Sequence, residues 1–144
     1  MKPGIAYTFS KGMRLSSKKA IDSLFLEGNT FVSGPFRVFY RLHKPEHPDV
    51  SLCRIAFSVS KKRLKSAVHR NLIKRRLRES FRLQYPHLLK PALEQSGQTL
   101  LLLCIYLPHE IKPWNYTKRK MEVLLSYFAD LCQKSIESAS DSVG

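Results

Sequence analysis

The sequence predicts an α+β fold, a two-layer sandwich with elements in the order αβββαβα, and three observations carry that prediction. Leu52–Ser60 (LCRIAFSVS) alternates apolar with small or polar residues, as a strand with one buried face does. Thr99–Tyr106 (TLLLLCIY) is almost wholly apolar, as a central strand covered on both faces is. Between them, Lys61–Arg82 carries Ile73, Leu77 and Phe81 at i, i+4 and i+8, a helical spacing. A strand–helix–strand unit of this kind joins parallel neighbours, so one four-stranded sheet with helices packed on it is the economical architecture.

The chain in order supports this. Residues 1–13 are polar and basic, with Pro3, Gly4 and Gly12, and are expected to form a flexible arm from which Tyr7 and Phe9 can still pack on the domain. Ser16 or Ser17 suits the N-cap of a helix from Lys18 to about Glu27. Ile21, Leu24 and Phe25 mark its buried side, and Gly28 stands at C′. Asn29–Ser33 reads as a short strand, Gly34-Pro35 as a turn, and Phe36–Leu42 as a second strand. In that strand Phe36, Val38 and Tyr40 point one way and Arg37, Phe39 and Arg41 the other. His43–Asp49 is a proline-containing surface loop. The basic helix is expected from about Ser66 to Gln84, with Pro86 as its stop, followed by a connection holding one turn of helix. Pro108–Tyr116 is a loop. The last helix runs from about Thr117 to Lys134, with Met121, Leu124, Leu125, Phe128, Leu131 and Cys132 along one face. One domain over residues 14–134 follows, and the small, polar residues 135–144 are expected to be a disordered tail.

Composition narrows the function. The hydrophobic content of 43% supports a core, and a net charge of +14 with a pI near 10 points to a polyanionic partner. Nucleic acid and an anionic membrane are the rivals, and no apolar run reaches the ~18–20 residues of a spanning helix. The N-terminus has no apolar core of the kind a signal peptide has. Cys53, Cys104 and Cys132 lie in apolar surroundings without a CxxC pair, as reduced thiols of a cytoplasmic protein do. The histidines are scattered among loops, no phosphate-binding glycine loop occurs, and no closely spaced carboxylates form a two-metal site. No catalytic residue and no metal site are therefore assigned.

The basic stretch is the strong signal. Ten of the 22 residues of Lys61–Arg82 are Lys or Arg, and Glu79 is the one acid. On a helix, Asn71, Lys74, Arg75, Arg78 and Arg82 line up along one face, where like charges repel unless a polyanion neutralises them. This face is read as a phosphate-binding surface for nucleic acid. Phe25, and Phe36 or Tyr40, are candidate stacking faces for unpaired bases. The small, polar strand face of Arg54, Ala56, Ser58 and Ser60 is either ordinary solvated surface or the floor of a groove.

Residues 58–79, SVSKKRLKSAVHRNLIKRRLRE, resemble the central motif of the bacterial ribonuclease P protein component. That family shows a strand ending in SVSKK, an Ala-Val pair, and a helix reading RNRxKRxxRE. This chain supplies Ser58–Lys62, Ala67-Val68, Arg70-Asn71-Leu72-Ile73-Lys74-Arg75 and Arg78-Glu79. The likeness extends over about residues 14–133, through Arg14-Leu15, Phe25, Gly28 and the strand ending in Tyr40. Leu72 stands where a second arginine is usual, and Ile21 where an aromatic is common.

The resemblance implies the αβββαβα sandwich with a left-handed β-α-β crossover, a ribosomal protein S5 domain 2-like fold. It implies the protein subunit of a ribonucleoprotein that removes the 5′ leader from precursor tRNA, with the active site and Mg2+ held mainly by the RNA subunit and substrate. The implied partners are ribonuclease P catalytic RNA and precursor tRNA, with neither membrane nor DNA. Carried over by position, Arg70, Asn71, Lys74, Arg75 and Arg78 bind the RNA subunit. Phe25, Tyr40, Ser58, Ser60 and Lys61 line a groove for the single-stranded leader. The alternative reading is a structural ribosomal or general RNA-binding protein. A helix-turn-helix DNA reader fits poorly, because the basic helix has no partner helix before it.

Overall fold

The computed structural model of the chain describes Phe9, residues 11–45 and residues 52–143, with side chains to residue 135. The rest of the expected N-terminal arm, including Tyr7, lies outside the described residues. So do the 46–49 part of the expected loop and the side chains of the expected tail after residue 135. After a 3₁₀ turn at Lys11–Met13 come α1 (Lys18–Glu27), β1 (Asn29–Ser33), β2 (Phe36–His43), β3 (Cys53–Val59), α2 (Ala67–Leu88), α3 (Lys90–Ser96), β4 (Thr99–Tyr106) and α4 (Trp114–Val143). The expected order αβββαβα is found, with α3 added.

Local chemistry sets the boundaries. Ser17 caps α1 by accepting from the Ala20 N–H at 3.3 Å, and Ser66 caps α2 by accepting from the His69 N–H at 3.3 Å. Gly28 follows α1 with extended backbone (φ −76°, ψ 159°), so the left-handed closure expected of a C′ glycine is not its role. A Cβ there would stand 2.5 Å from the Leu24 carbonyl oxygen and 3.1 Å from that of Tyr40; close approach of backbone requires the glycine. Gly34 turns the β1–β2 hairpin at φ +54°, the first residue of a two-residue loop.

Three helix limits differ from expectation. Pro86 does not stop α2, which runs on to Leu88 with the proline inside its last turn. The missing N–H removes one hydrogen bond near a helix end, and burial of Tyr85 and Leu89 on either side holds the turn. The following connection is a two-turn helix, α3, rather than a single turn. α4 starts three residues early, from the Pro113 carbonyl that accepts the Thr117 N–H at 3.1 Å, and its backbone stays helical beyond Lys134 to Val143. No Gly or Pro interrupts it between those limits.

The sheet order is β1-β2-β4-β3, antiparallel except for the parallel pair β3–β4. The apolar β4 is thus an interior strand parallel to β3, as its composition predicts. One face packs on α2, α3 and α4 through Phe36, Val38, Ile55, Leu102 and Cys104 against Leu77, Phe81, Leu93, Leu124 and Phe128. The opposite face receives α1: Leu24 and Leu15 pack on Leu103, with Phe39, Ala56 and Ile105 around them. Arg41 ties this helix to β2, donating to Ser23 Oγ and to Glu27 Oε2, each at 3.2 Å. The three cysteines are buried and unpaired, and burial pushes their thiols up.

Candidate nucleic-acid interface

The helix α2 presents three kinds of side chain. Ile73, Leu77, Ser80, Phe81, Gln84 and Tyr85 are buried and fix the helix to the sheet and to α4. Phe81 stacks on Tyr85 with centroids 5.0 Å apart and meets Phe9 edge-on at 5.8 Å. Gln84 Nε2 donates to the Lys118 carbonyl at 3.0 Å, setting the α2–α4 register. Asn71, Arg75 and Arg78 are exposed, and Lys74 is half-buried beside them, so these four predicted residues do form a row. Among the described residues, Lys74, Arg75 and Arg78 have no carboxylate partner. Arg82, at the end of the row, pairs with Glu79 at 2.5 Å and holds that carboxyl below its usual range by hydrogen bonding.

The third group binds the chain's own backbone. Arg70 Nη1 donates to the Leu64 carbonyl at 2.7 Å and to the Lys65 carbonyl at 2.9 Å. Arg76 Nη1 donates to the Lys112 carbonyl at 3.0 Å, and Arg63 Nη1 to the Leu107 carbonyl. Arg70, assigned to RNA-subunit binding by its place in the motif, is therefore turned to the β3–α2 loop. Arg63 and Arg76 pin the loop between β4 and α4. These cations shape loops as well as contributing charge. Leu72, in the place of a motif arginine, is half-buried.

The other predicted set does not share one surface. Phe25 is 49% exposed on α1 and packs against Phe39, with centroids 4.7 Å apart. Ser58 is half-buried on the same side of the sheet, two residues from Ala56. Ser60 Oγ accepts from the Lys62 N–H at 3.1 Å, and the Ser60 carbonyl accepts from Leu64 at 3.1 Å. Ser60 thus builds the turn that displays exposed Lys61. Tyr40 lies on the far face, among Phe31, Phe128 and Tyr127; burial, then Tyr127, raises its phenol. The sheet separates it from Phe25, because side chains alternate along β2. Phe36, a candidate stacking face, is fully buried in the core and offers none.

The aromatic beside Phe25 is thus Phe39, which the motif comparison passes over. The alternation of FRVFYRL already sets Phe39 opposite Tyr40, so the signal was present, lacking only the side on which α1 packs. Arg14 is the second residue missed. It approaches β3 as a bridge partner of Ile55, and nothing local in the sequence signals that contact.

Residues 9–109 match the family model described as Ribonuclease P. The chain is 35% identical over 116 residues to a ribonuclease P protein component of Porphyromonas gingivalis, covering 81% of this chain and 82% of that protein. It is 36% identical over 76 residues to one of Vibrio campbellii, covering 53% of this chain and 60% of that protein. A solved Staphylococcus aureus RNase P protein superposes with a TM-score of 0.58 at 23% identity, covering 80% of this chain and 94% of that one. A mutant of the S. aureus protein gives 0.62 at 22% identity, with coverage of 81% and 88%. These two likenesses speak to the fold.

Proposed function

The chain belongs to the ribonuclease P protein family, and from that membership we propose that it binds the catalytic RNA and the single-stranded 5′ leader of precursor tRNA during removal of the leader. The observation that carries the proposal is the motif at residues 58–79. Its cations without carboxylate partners form one row on α2, and its strand end lies next to a face of small and aromatic residues. Asn71, Lys74, Arg75 and Arg78 meet the phosphates of the catalytic RNA, while Arg70 holds the loop that leads into their helix. Phe25, backed by Phe39, and Ser58 and Lys61, with Ser60 setting the turn, take the leader. Small side chains let an extended strand lie close, and an aromatic offers a face to any base. Tyr40 acts from beneath, holding β2 against α4.

Magnesium-dependent hydrolysis belongs, in this proposal, to the RNA. The chain's own part in this proposal is binding and orientation. No helix among the described residues is long and apolar enough to cross a membrane. The test is cleavage of precursor tRNA at low magnesium. The protein added to the catalytic RNA is expected to stimulate cleavage, and the protein alone to cut nothing. Cutting by the protein alone, or no stimulation, would sink the proposal. Phe25→Ala is expected to weaken binding of leader-bearing precursor while leaving mature tRNA unaffected.

A further inference from the structure

The two surfaces of the proposed function lie on opposite sides of one sheet. The row on α2 belongs to one face, and Phe25, Phe39, Ala56 and Ser58 to the other. They meet around the outer edge of β3, the terminal strand of the sheet. A cavity of about 330 Å³ sits at that edge. Its walls include Ile55 and Phe57 from the first face and Ala56 from the second, and it is flanked by Arg14 and Arg78.

We propose that Arg14 and Arg78 form one phosphodiester-binding clamp at the edge of β3, where an RNA strand passes from one face of the sheet to the other. Both side chains are exposed, and both line the same concave site. Among the described residues no carboxylate lines it and neither arginine has an ion-pair partner. Two guanidinium groups repel unless an anion stands between them, and a phosphate is matched to their forked donors. Arg14 is held in place. Its guanidinium lies 5.7 Å over the Phe9 ring, its N–H donates to the Lys11 carbonyl at 3.2 Å, and it bridges Ile55 in parallel. The next residue continues the pairing, the Leu15 N–H donating to the Ile55 carbonyl at 3.0 Å. Phe57, two residues further along β3, lines the same cavity. Chain segments far apart in sequence thus place two cations around one site.

The inference rests on the RNA-binding reading, and the phosphate can come from the catalytic RNA or from the precursor. The experiment uses the full chain with Arg14→Gln, Arg78→Gln, the double variant and Arg14→Lys. One arm measures the salt dependence of binding to the catalytic RNA. The other measures that of the assembled complex binding leader-bearing precursor, with mature tRNA as control. In one arm each single Gln variant is expected to lower the log–log slope by about 0.7–0.9, the value of one phosphate contact. The double variant is expected to lose no more than either single, because both groups hold one phosphate, and Arg14→Lys to keep most of the slope. Loss in the first arm assigns the phosphate to the catalytic RNA; loss confined to leader-bearing precursor assigns it to the leader. Unchanged slopes in both arms overturn the clamp and Arg78's place in the phosphate-binding row, and an additive loss in the double variant overturns the clamp, while the RNA-binding reading carried by Lys74 and Arg75 stands. A wild-type chain that binds neither RNA overturns both. Unfolding transitions of each variant identify any loss that comes from misfolding, and Arg14→Lys then decides the outcome.

Discussion

Arg76 and Lys74 are two residues apart on one helix, but they do different work. The Arg76 guanidinium ends on the Lys112 carbonyl, whereas Lys74 has no carboxylate partner among the described residues. A half-buried charged hydrogen bond to backbone contributes on the order of 1 kcal/mol. Arg76→Gln is therefore expected to lower the unfolding free energy by about that amount, read as a lower urea midpoint with m unchanged. A midpoint equal to wild type would mean that the loop after β4 does not depend on this bond. Thr99 is the opposite case. Its Oγ1 is fully buried without a hydrogen-bond partner among the described residues, beside apolar Leu100. Thr99→Val keeps the shape and removes an unsatisfied hydroxyl, so stability is expected to rise, by up to ~1–2 kcal/mol. A lower thermal midpoint would show that the hydroxyl is bonded in solution.

At the scale of elements, α2 is both a core helix and a charged surface, and its apolar stripe was legible because 3.6-residue periodicity needs no tertiary information. Its length was not. Pro86 reads as a stop, but packing of Tyr85 and Leu89 carries the last turn past it. The exposed row makes a measurable claim. Lys74→Gln is expected to reduce the salt slope of binding to the catalytic RNA by about 0.7–0.9, without moving the urea midpoint. Arg76→Gln is expected to show the reverse pattern, a shifted midpoint with little change in slope. A similar response from both variants would remove the distinction drawn between loop-bracing and ligand-facing cations. β4 was read correctly because a strand apolar on both sides must be interior, and β3 because only one of its faces is apolar.

For the whole molecule, burial of weak acids couples stability to alkaline pH. Cys53 and Cys104 are fully buried, and burial raises both thiols above their ordinary value of 9.0. Tyr85 is raised above its ordinary 10.0, by burial first and then by Cys53 and Glu94. A group whose proton is held more tightly in the folded state contributes stability that is complete below its unfolded value. That contribution falls as pH rises past the unfolded value, because the unfolded chain ionises first. The thermal midpoint is therefore expected to be flat up to about pH 8 and to fall above about pH 9. Each group that ionises only on unfolding adds a slope of up to ~1.4 kcal/mol per pH unit. A flat midpoint through pH 10.5 would show that these groups ionise within the folded protein.

The sequence by itself determined the elements, the interior position of β4, the cationic row of α2 and a strand face of small residues. Each of these depends on local periodicity or composition. Only the tertiary structure decided that Phe39 rather than Tyr40 shares a face with Phe25. Alternation fixes which residues oppose one another along a strand, but not the side on which a separate helix packs. It also decided that Arg63, Arg70 and Arg76 reach backbone carbonyls and that Arg14 and Arg78 line one pocket at the edge of β3. Long side chains take the nearest acceptor, and the path of the folded chain sets which acceptors and which cations come near.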